Sequence, residues 1–198
     1  KTALTVATGA SSNLTLNLDG TKGELLEASG VLNVNVFGFV ALTGSMALSK
    51  SNKTIKLGDL ASTSGVNESA DVSVNVLTVG GTGLSAFAGI GGGYTGGVLN
   101  SGATGLSLTG VEFGLALMSD NTTPTRKWTT LQATAATAGF VGLGDDLVVS
   151  ATGVKVAINQ ASAAVTNNAV VNYTGANKTE LTVATGTGSS LALDLDGA

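Results

Sequence analysis

Acidic side chains at short spacings are the one place where this chain could do chemistry. The stretch "LDLDG" (193–197) sets Asp194 and Asp196 two residues apart before Gly197, and a related stretch offers Asn17, Asp19 and Gly20, followed by Glu24 and Glu27. Hard cations bind such oxygen clusters beside a tight turn, so Asn17, Asp19, Asp194 and Asp196 are candidate calcium ligands. The EF-hand loop is not met: with Gly20 as its turn glycine, Thr15 falls on the first ligand position. Strand alternation also sends Asp194 and Asp196 to one side, as expected of a solvated strand end. Asp145 and Asp146 in "GLGDD" form a lesser pair of the same kind.

Other chemistry finds less support. The run "GIGGGYTGG" (89–97) resembles a phosphate loop, but Val98 and Leu99 stand where Lys and Ser or Thr would be needed. It also lacks the Asp that a calcium-binding nonapeptide turn requires, so a tightly turning connector is expected. The chain has no His and no Cys, which removes the commonest general base and the commonest thiol nucleophile. A carboxylate pair could serve a glycosidase, but the acids are spread among turns with no aromatic platform for a sugar. Catalysis is therefore not expected. Trp128, the only tryptophan, follows Arg126 and Lys127 and is either an exposed contact or a cap on the core beside a connector. The threonines form no regular ladder for a crystalline surface. An apolar lumen holding a hydrophobic ligand, or a carbohydrate-binding face, are the alternative binding roles.

Composition narrows the class. The chain has 198 residues, 43% of them hydrophobic, but only 4% aromatic and 11% charged, with 29 Gly and 1 Pro. Disordered chains are charge-rich and aliphatic-poor, so an ordered core is expected. The net charge of −4, with only nine scattered basic residues, argues against a nucleic-acid partner. The absence of cysteine excludes disulfides and thiolate metal sites. The longest uncharged stretch runs from Val72 to Val111. The best membrane-helix candidate, 30–49, is broken by Asn, Ser, Thr and Gly and alternates, so no transmembrane helix is expected; a membrane barrel strand is a minority alternative.

The elements that must carry these residues are repeats. "KTALTVATGASSNLTLNLDG" (1–20) and "KTELTVATGTGSSLALDLDG" (178–197) agree at 14 of 20 positions at an offset of 177. Residues 1–177 are expected to be one complete repeat and 178–198 the start of the next. A shorter signature recurs at "ASGVLNV" from Ala28, "ATGLSL" from Ala103 and "ATGVKVAI" from Ala151. It alternates with a second one beginning at Leu4, Leu77, Leu131 and Leu181, which suggests three diverged sub-repeats. The charged runs "NKTIKLGD" (52–59) and "NTTPTRKW" (121–128) look like solvated turns between them.

Period-two alternation dominates: Leu14, Leu16 and Leu18; Val34 and Val36; Val72, Val74 and Val76; Val154, Val156 and Ile158. Even the most helix-like stretch, "GELLEASG" (23–30), is one or two turns at most. "FGFVAL" (37–42) and "FGLALM" (113–118) combine large residues with Gly and Ala, which predicts strands buried on both sides and approached closely by another backbone. The fold expected is all-β: an elongated β-solenoid-like stack with hairpin extensions, or alternatively an antiparallel hairpin tube or barrel.

The long unit, the "LTVATG" and "LDLDG" blocks and the Thr/Ala/Gly/Val bias resemble the tandem repeats of giant bacterial secreted or surface proteins of the adhesin-like, β-strand-repeat group. That resemblance implies an extracellular or cell-surface protein in which each unit is a spacer or scaffold and its partners are adjacent repeats. The overlap of 1–20 with 178–197 suggests that the start of one unit completes the preceding one. Deleting 178–198 is then expected to expose apolar surface and promote aggregation, measured by light scattering and thermal melting. Unchanged monomeric behaviour and melting refute that role.

Overall fold

The computed structural model describes residues 3–58, 71–144, 148–165, 169–176 and 178–195. Its alternating segments form twelve strands: β1 (Leu4–Gly9), β2 (Ser12–Leu16), β3 (Leu26–Val36), β4 (Val40–Lys56), β5 (Asp71–Ile90), β6 (Tyr94–Thr95), β7 (Val98–Leu99), β8 (Thr104–Asp120), β9 (Lys127–Val141), β10 (Ser150–Ala161), β11 (Leu181–Gly186) and β12 (Ser189–Leu193). There is no α-helix among the described residues, and no helix long and apolar enough to cross a membrane. The stretch "GELLEASG" instead leads into β3.

Six long strands make one open antiparallel sheet in the order β3-β4-β5-β8-β9-β10. This is a meander of successive neighbours, interrupted only by the small hairpin β6–β7 between β5 and β8. The all-β expectation holds, and the pairing within the unit is that of antiparallel hairpins. The described sheet does not close on itself; β3 and β10 are its two edges. β1–β2 and β11–β12 are separate two-stranded hairpins.

A single sheet has no interior, so it needs a second layer to bury an apolar face. Val72, Val74 and Val76 on β5 are buried while Ser73 and Asn75 face out. Ala116 and Met118 on β8 and Trp128 on β9 extend the same face. Over it lie β11–β12 and the connector that precedes them, through Val165, Ala169, Val171 and Tyr173. The connector pairs with the end of β4: Leu57 bridges Val171, and the Asn172 N–H donates to the Lys56 carbonyl at 2.8 Å.

Trp128 is not an exposed contact. It is 1% exposed, and its Nε1 donates to the Ala169 carbonyl at 3.0 Å. Alternation on β9 turns it onto the face that the connector covers, and Arg126 lies over its ring at 5.4 Å from the centroid. The β8–β9 turn beside it is held by Asp120. That carboxylate accepts from the Thr122 and Thr123 N–H groups at 2.7 and 3.1 Å and pairs with Arg126 at 2.8 Å.

Two other expectations change. The charged run from 52 is mostly strand, not turn: residues up to Lys56 belong to β4, Ile55 is fully buried, and Lys56 pairs with Asp71 at 2.7 Å. Period two turns Ile55 in and its immediate neighbours Thr54 and Lys56 the other way, while Lys53, on the face of Ile55, is exposed. Residues 37–39 of "FGFVAL" are the β3–β4 turn and 40–42 open β4, where Ala41 is buried and Val40 exposed, so the stretch is not a strand buried on both sides. Phe37 stands at φ 50, and Phe37 and Phe39 are 93% and 59% exposed. "FGLALM" is buried on one face only, through Gly114, Ala116 and Met118, while Leu117 on the other is 41% exposed.

Tyr173 closes this core. It is 3% exposed and its hydroxyl donates to Thr130 Oγ1 at 3.0 Å. Burial pushes the phenol up from its ordinary value near 10 to about 12. The folded state therefore favours the neutral phenol, a contribution fully present below pH 10 and lost as pH rises towards 12. Urea midpoints should fall over that window, and the fall should shrink in Tyr173→Phe; an identical alkaline profile for the variant would contradict this.

Candidate functional site: a hairpin seated on the sheet

The site that the structure assembles is an interface, built around a row of small residues. Ala47 on β4, Gly80 on β5 and Gly114 on β8 are cross-strand partners in one line over the centre of the sheet. Side chains alternate across the strands, so this row shares the face of Val74, Val76 and Ala116. Where it runs, the floor is low enough for another backbone to rest on it.

β11–β12 fills that place. In β11, Leu181, Val183 and Thr185 point inward and Thr182 outward. A Cβ on Gly80 would collide with the Ala184 carbonyl oxygen and stand 2.8 Å from Val183 Cγ1. One on Gly114 would stand 3.0 Å from Leu193 Cδ2 and 3.3 Å from Leu191 Cδ2. Gly186 is equally close to the sheet, its added Cβ falling 2.9 Å from Ser45 Cβ. Leu181, Val183 and Leu193 are 4%, 0% and 4% exposed.

Polar groups pin the open end of the hairpin, one on each strand. The Thr179 hydroxyl accepts from the Lys56 N–H at 2.8 Å and donates to the Lys56 carbonyl at 3.1 Å. On the other strand of the same end, the Asp194 N–H donates to Gln132 Oε1 at 2.8 Å. The buried Thr185 hydroxyl is satisfied inside the hairpin, donating to Ser189 Oγ at 3.1 Å. Local sequence dictates the shape: two alternating runs flank a Thr187–Gly188 turn, with Gly188 at φ 74.

The first copy forms the same hairpin. Leu4↔Leu16, Val6↔Leu14 and Gly9↔Ser12 reproduce Leu181↔Leu193, Val183↔Leu191 and Gly186↔Ser189, with the register shift at the equivalent position. Yet every residue of β1 and β2 is exposed. The second sub-repeat signature behaves differently again. From Leu77 it runs on as one long strand, β5, with a bulge near Gly83 (φ 60) where the hairpin copies turn back.

Of the candidate calcium ligands, Asp19 takes a local role. Asp19 accepts from the Thr21 N–H at 3.2 Å and from the Thr21 hydroxyl at 2.8 Å, capping a single 3-10 turn at Gly20–Lys22. Asn17, Glu24, Glu27 and Asp194 are exposed. Asp196, Asp145 and Asp146 lie outside the described residues. Among the described residues, no group of three or more His, Cys, Asp or Glu is placed to hold a metal. "GIGGGYTGG" is the tight connector expected, with β6 and β7 joined through Gly96 and Gly97 at φ 57 and 82. Sequence reading passed over Gly80; the signal was the "GG" inside an otherwise continuous strand pattern.

Gly80→Val should force the hairpin off its seat. Overpacking against a backbone atom is expected to lower stability by about 3 kcal/mol and to speed hydrogen exchange across 181–193. Gly30→Ala, on the edge strand β3 with nothing within 4 Å of the added carbon, should change stability by less than about 0.5 kcal/mol. Equal effects of the two substitutions would remove Gly80 from its role.

No protein-family model, curated protein or solved structure matches the chain.

Proposed function

We propose that the chain is a structural repeat of a very long bacterial extracellular protein, a spacer or scaffold unit that stacks on its neighbours. The observation that carries this is the recurrence, 177 residues apart, of one hairpin in one register, seated on the sheet at its second occurrence and exposed at its first. In an array, residues 178–198 are both the second layer of one unit and the opening of the next. Consecutive units therefore share a layer instead of being joined by a linker. The array elongates as a solenoid does, by adding units along an axis, while the strands inside each unit run antiparallel.

Composition agrees with a mechanical role. Small and aliphatic residues build packed sheets, and the absence of cysteine removes any dependence on redox state. The acids placed by the structure cap turns or face solvent.

Small-angle X-ray scattering on proteins of one and two repeats tests the proposal. Length should rise in proportion to repeat number at constant cross-section. Scattering as flexibly joined compact beads would sink the spacer role and turn attention to a binding module, with calcium, a carbohydrate or a hydrophobic molecule as ligand.

A further inference from the structure

We infer that the exposed hairpin β1–β2 is a docking element whose partner is a second copy of this chain, and that it seats over Gly80 and Gly114 of that copy, where β11–β12 sits in its own. This rests on the reading of the chain as a repeat unit and specifies the contact that joins two units.

The pattern of identity between the two hairpins carries the inference. Every position of β11–β12 that is buried or half-buried against the sheet holds the same residue in β1–β2. The inward residues Leu181, Val183, Thr185, Leu191 and Leu193 correspond to Leu4, Val6, Thr8, Leu14 and Leu16, and Gly186, pressed against Ser45, corresponds to Gly9. The six differences between 1–20 and 178–197 are Ala3/Glu180, Ala10/Thr187, Ser11/Gly188, Asn13/Ser190, Thr15/Ala192 and Asn17/Asp194. All six second-copy residues are exposed. Divergence has been confined to the solvent side, and the docking side is unchanged.

The contacts that hold β11–β12 are also available to β1–β2. The bond to Gln132 uses the Asp194 backbone N–H, which Asn17 supplies equally. The Ser29–Thr187 hydroxyl contact at 3.3 Å would be lost at Ala10, but it is exposed. Meanwhile Leu4, Val6 and Leu14 are 63%, 41% and 54% exposed, apolar area with the shape of a ligand already seen bound. One seat accepts one hairpin. In a single chain the tethered β11–β12 holds it at high effective concentration, so the unaltered chain is expected to be monomeric.

The test vacates the seat in the full chain. Val183→Asp places a charge against Val183's buried position and should release β11–β12, leaving an open seat and a free β1–β2 on each molecule. Sedimentation should then show head-to-tail association that rises with concentration, and adding Val6→Asp to the same chain should return it to monomer. A monomeric Val183→Asp protein, or equal association of the double variant, overturns the inference. If Val183→Asp does not fold, as judged by loss of the buried Trp128 emission, a second variant decides. The full chain carrying E180A, T187A, S190N, A192T and D194N, with Gly188 kept for its φ of 74, presents the first hairpin's strand residues at the seat. Melting within about 5 °C of the unaltered chain supports docking, and melting more than about 15 °C lower overturns it. Neither result depends on the shape of a two-repeat protein, so docking can hold while the rod-like spacer fails, and the reverse.

Discussion

The structure depends on a backbone resting on a glycine. Where β11 crosses β5, the Ala184 carbonyl occupies the space that a side chain at position 80 would need, and the hairpin can descend onto the sheet only because none is there. From that approach the rest follows. Val183 and Leu181 reach the valines of β5, the connector through Tyr173 is drawn over Trp128, and water leaves the face between them. A six-stranded meander alone would expose both faces, and apolar burial at roughly 25 cal/mol per Å² is what holds such a sheet folded. The second layer is thus a condition of the fold, and its fit is set at one residue.

That layer covers one face over one half of the sheet. On the opposite face, Leu48, Val79, Leu115, Leu131 and Ile158 are cross-strand partners in a continuous apolar row, all half-buried. At the far end Phe87 is packed with Ala41 and Ala103, against Tyr94 and Leu99 of the small hairpin. Beyond them the Phe37–Phe39 turn, Ile90 and Val149 stand in solvent. The polar side chains with defined partners serve geometry: Asp120 organises a turn, Asp19 caps one, and Thr179 ties the hairpin to β4. Their carboxylates and hydroxyls are engaged in holding backbone.

Much of this was legible in the residues. Alternation at Val72–Val76 and at Leu14–Leu18 gave strands because a period of two needs no distant partner to be recognised. The repeat at an offset of 177 was visible because the hairpin's inward residues are the same in both copies. "NKTIKLGD" misled because composition over a window hides Ile55, one buried residue among charges. "FGFVAL" misled because Phe37, Phe39 and Val40 stand in solvent at the end of a hairpin, and Ala41 alone is fully buried, packed with Phe87. The acidic clusters suggested calcium because spacing along the chain says nothing of what each carboxylate already holds; Asp19 is engaged by Thr21.

By itself the sequence determined the all-β class, the alternating strands and the duplication of 1–20 at 178–197, since each is visible in neighbours within about twenty residues. Only the tertiary structure decided that the strands form an open meander, that Trp128 is interior, and that one copy of the hairpin is seated while its twin is exposed. β1–β2 and β11–β12 have the same inward residues, so no local propensity can distinguish them. What differs is whether a row of small residues on another part of the chain lies beneath, and that depends on contacts between segments about a hundred residues apart.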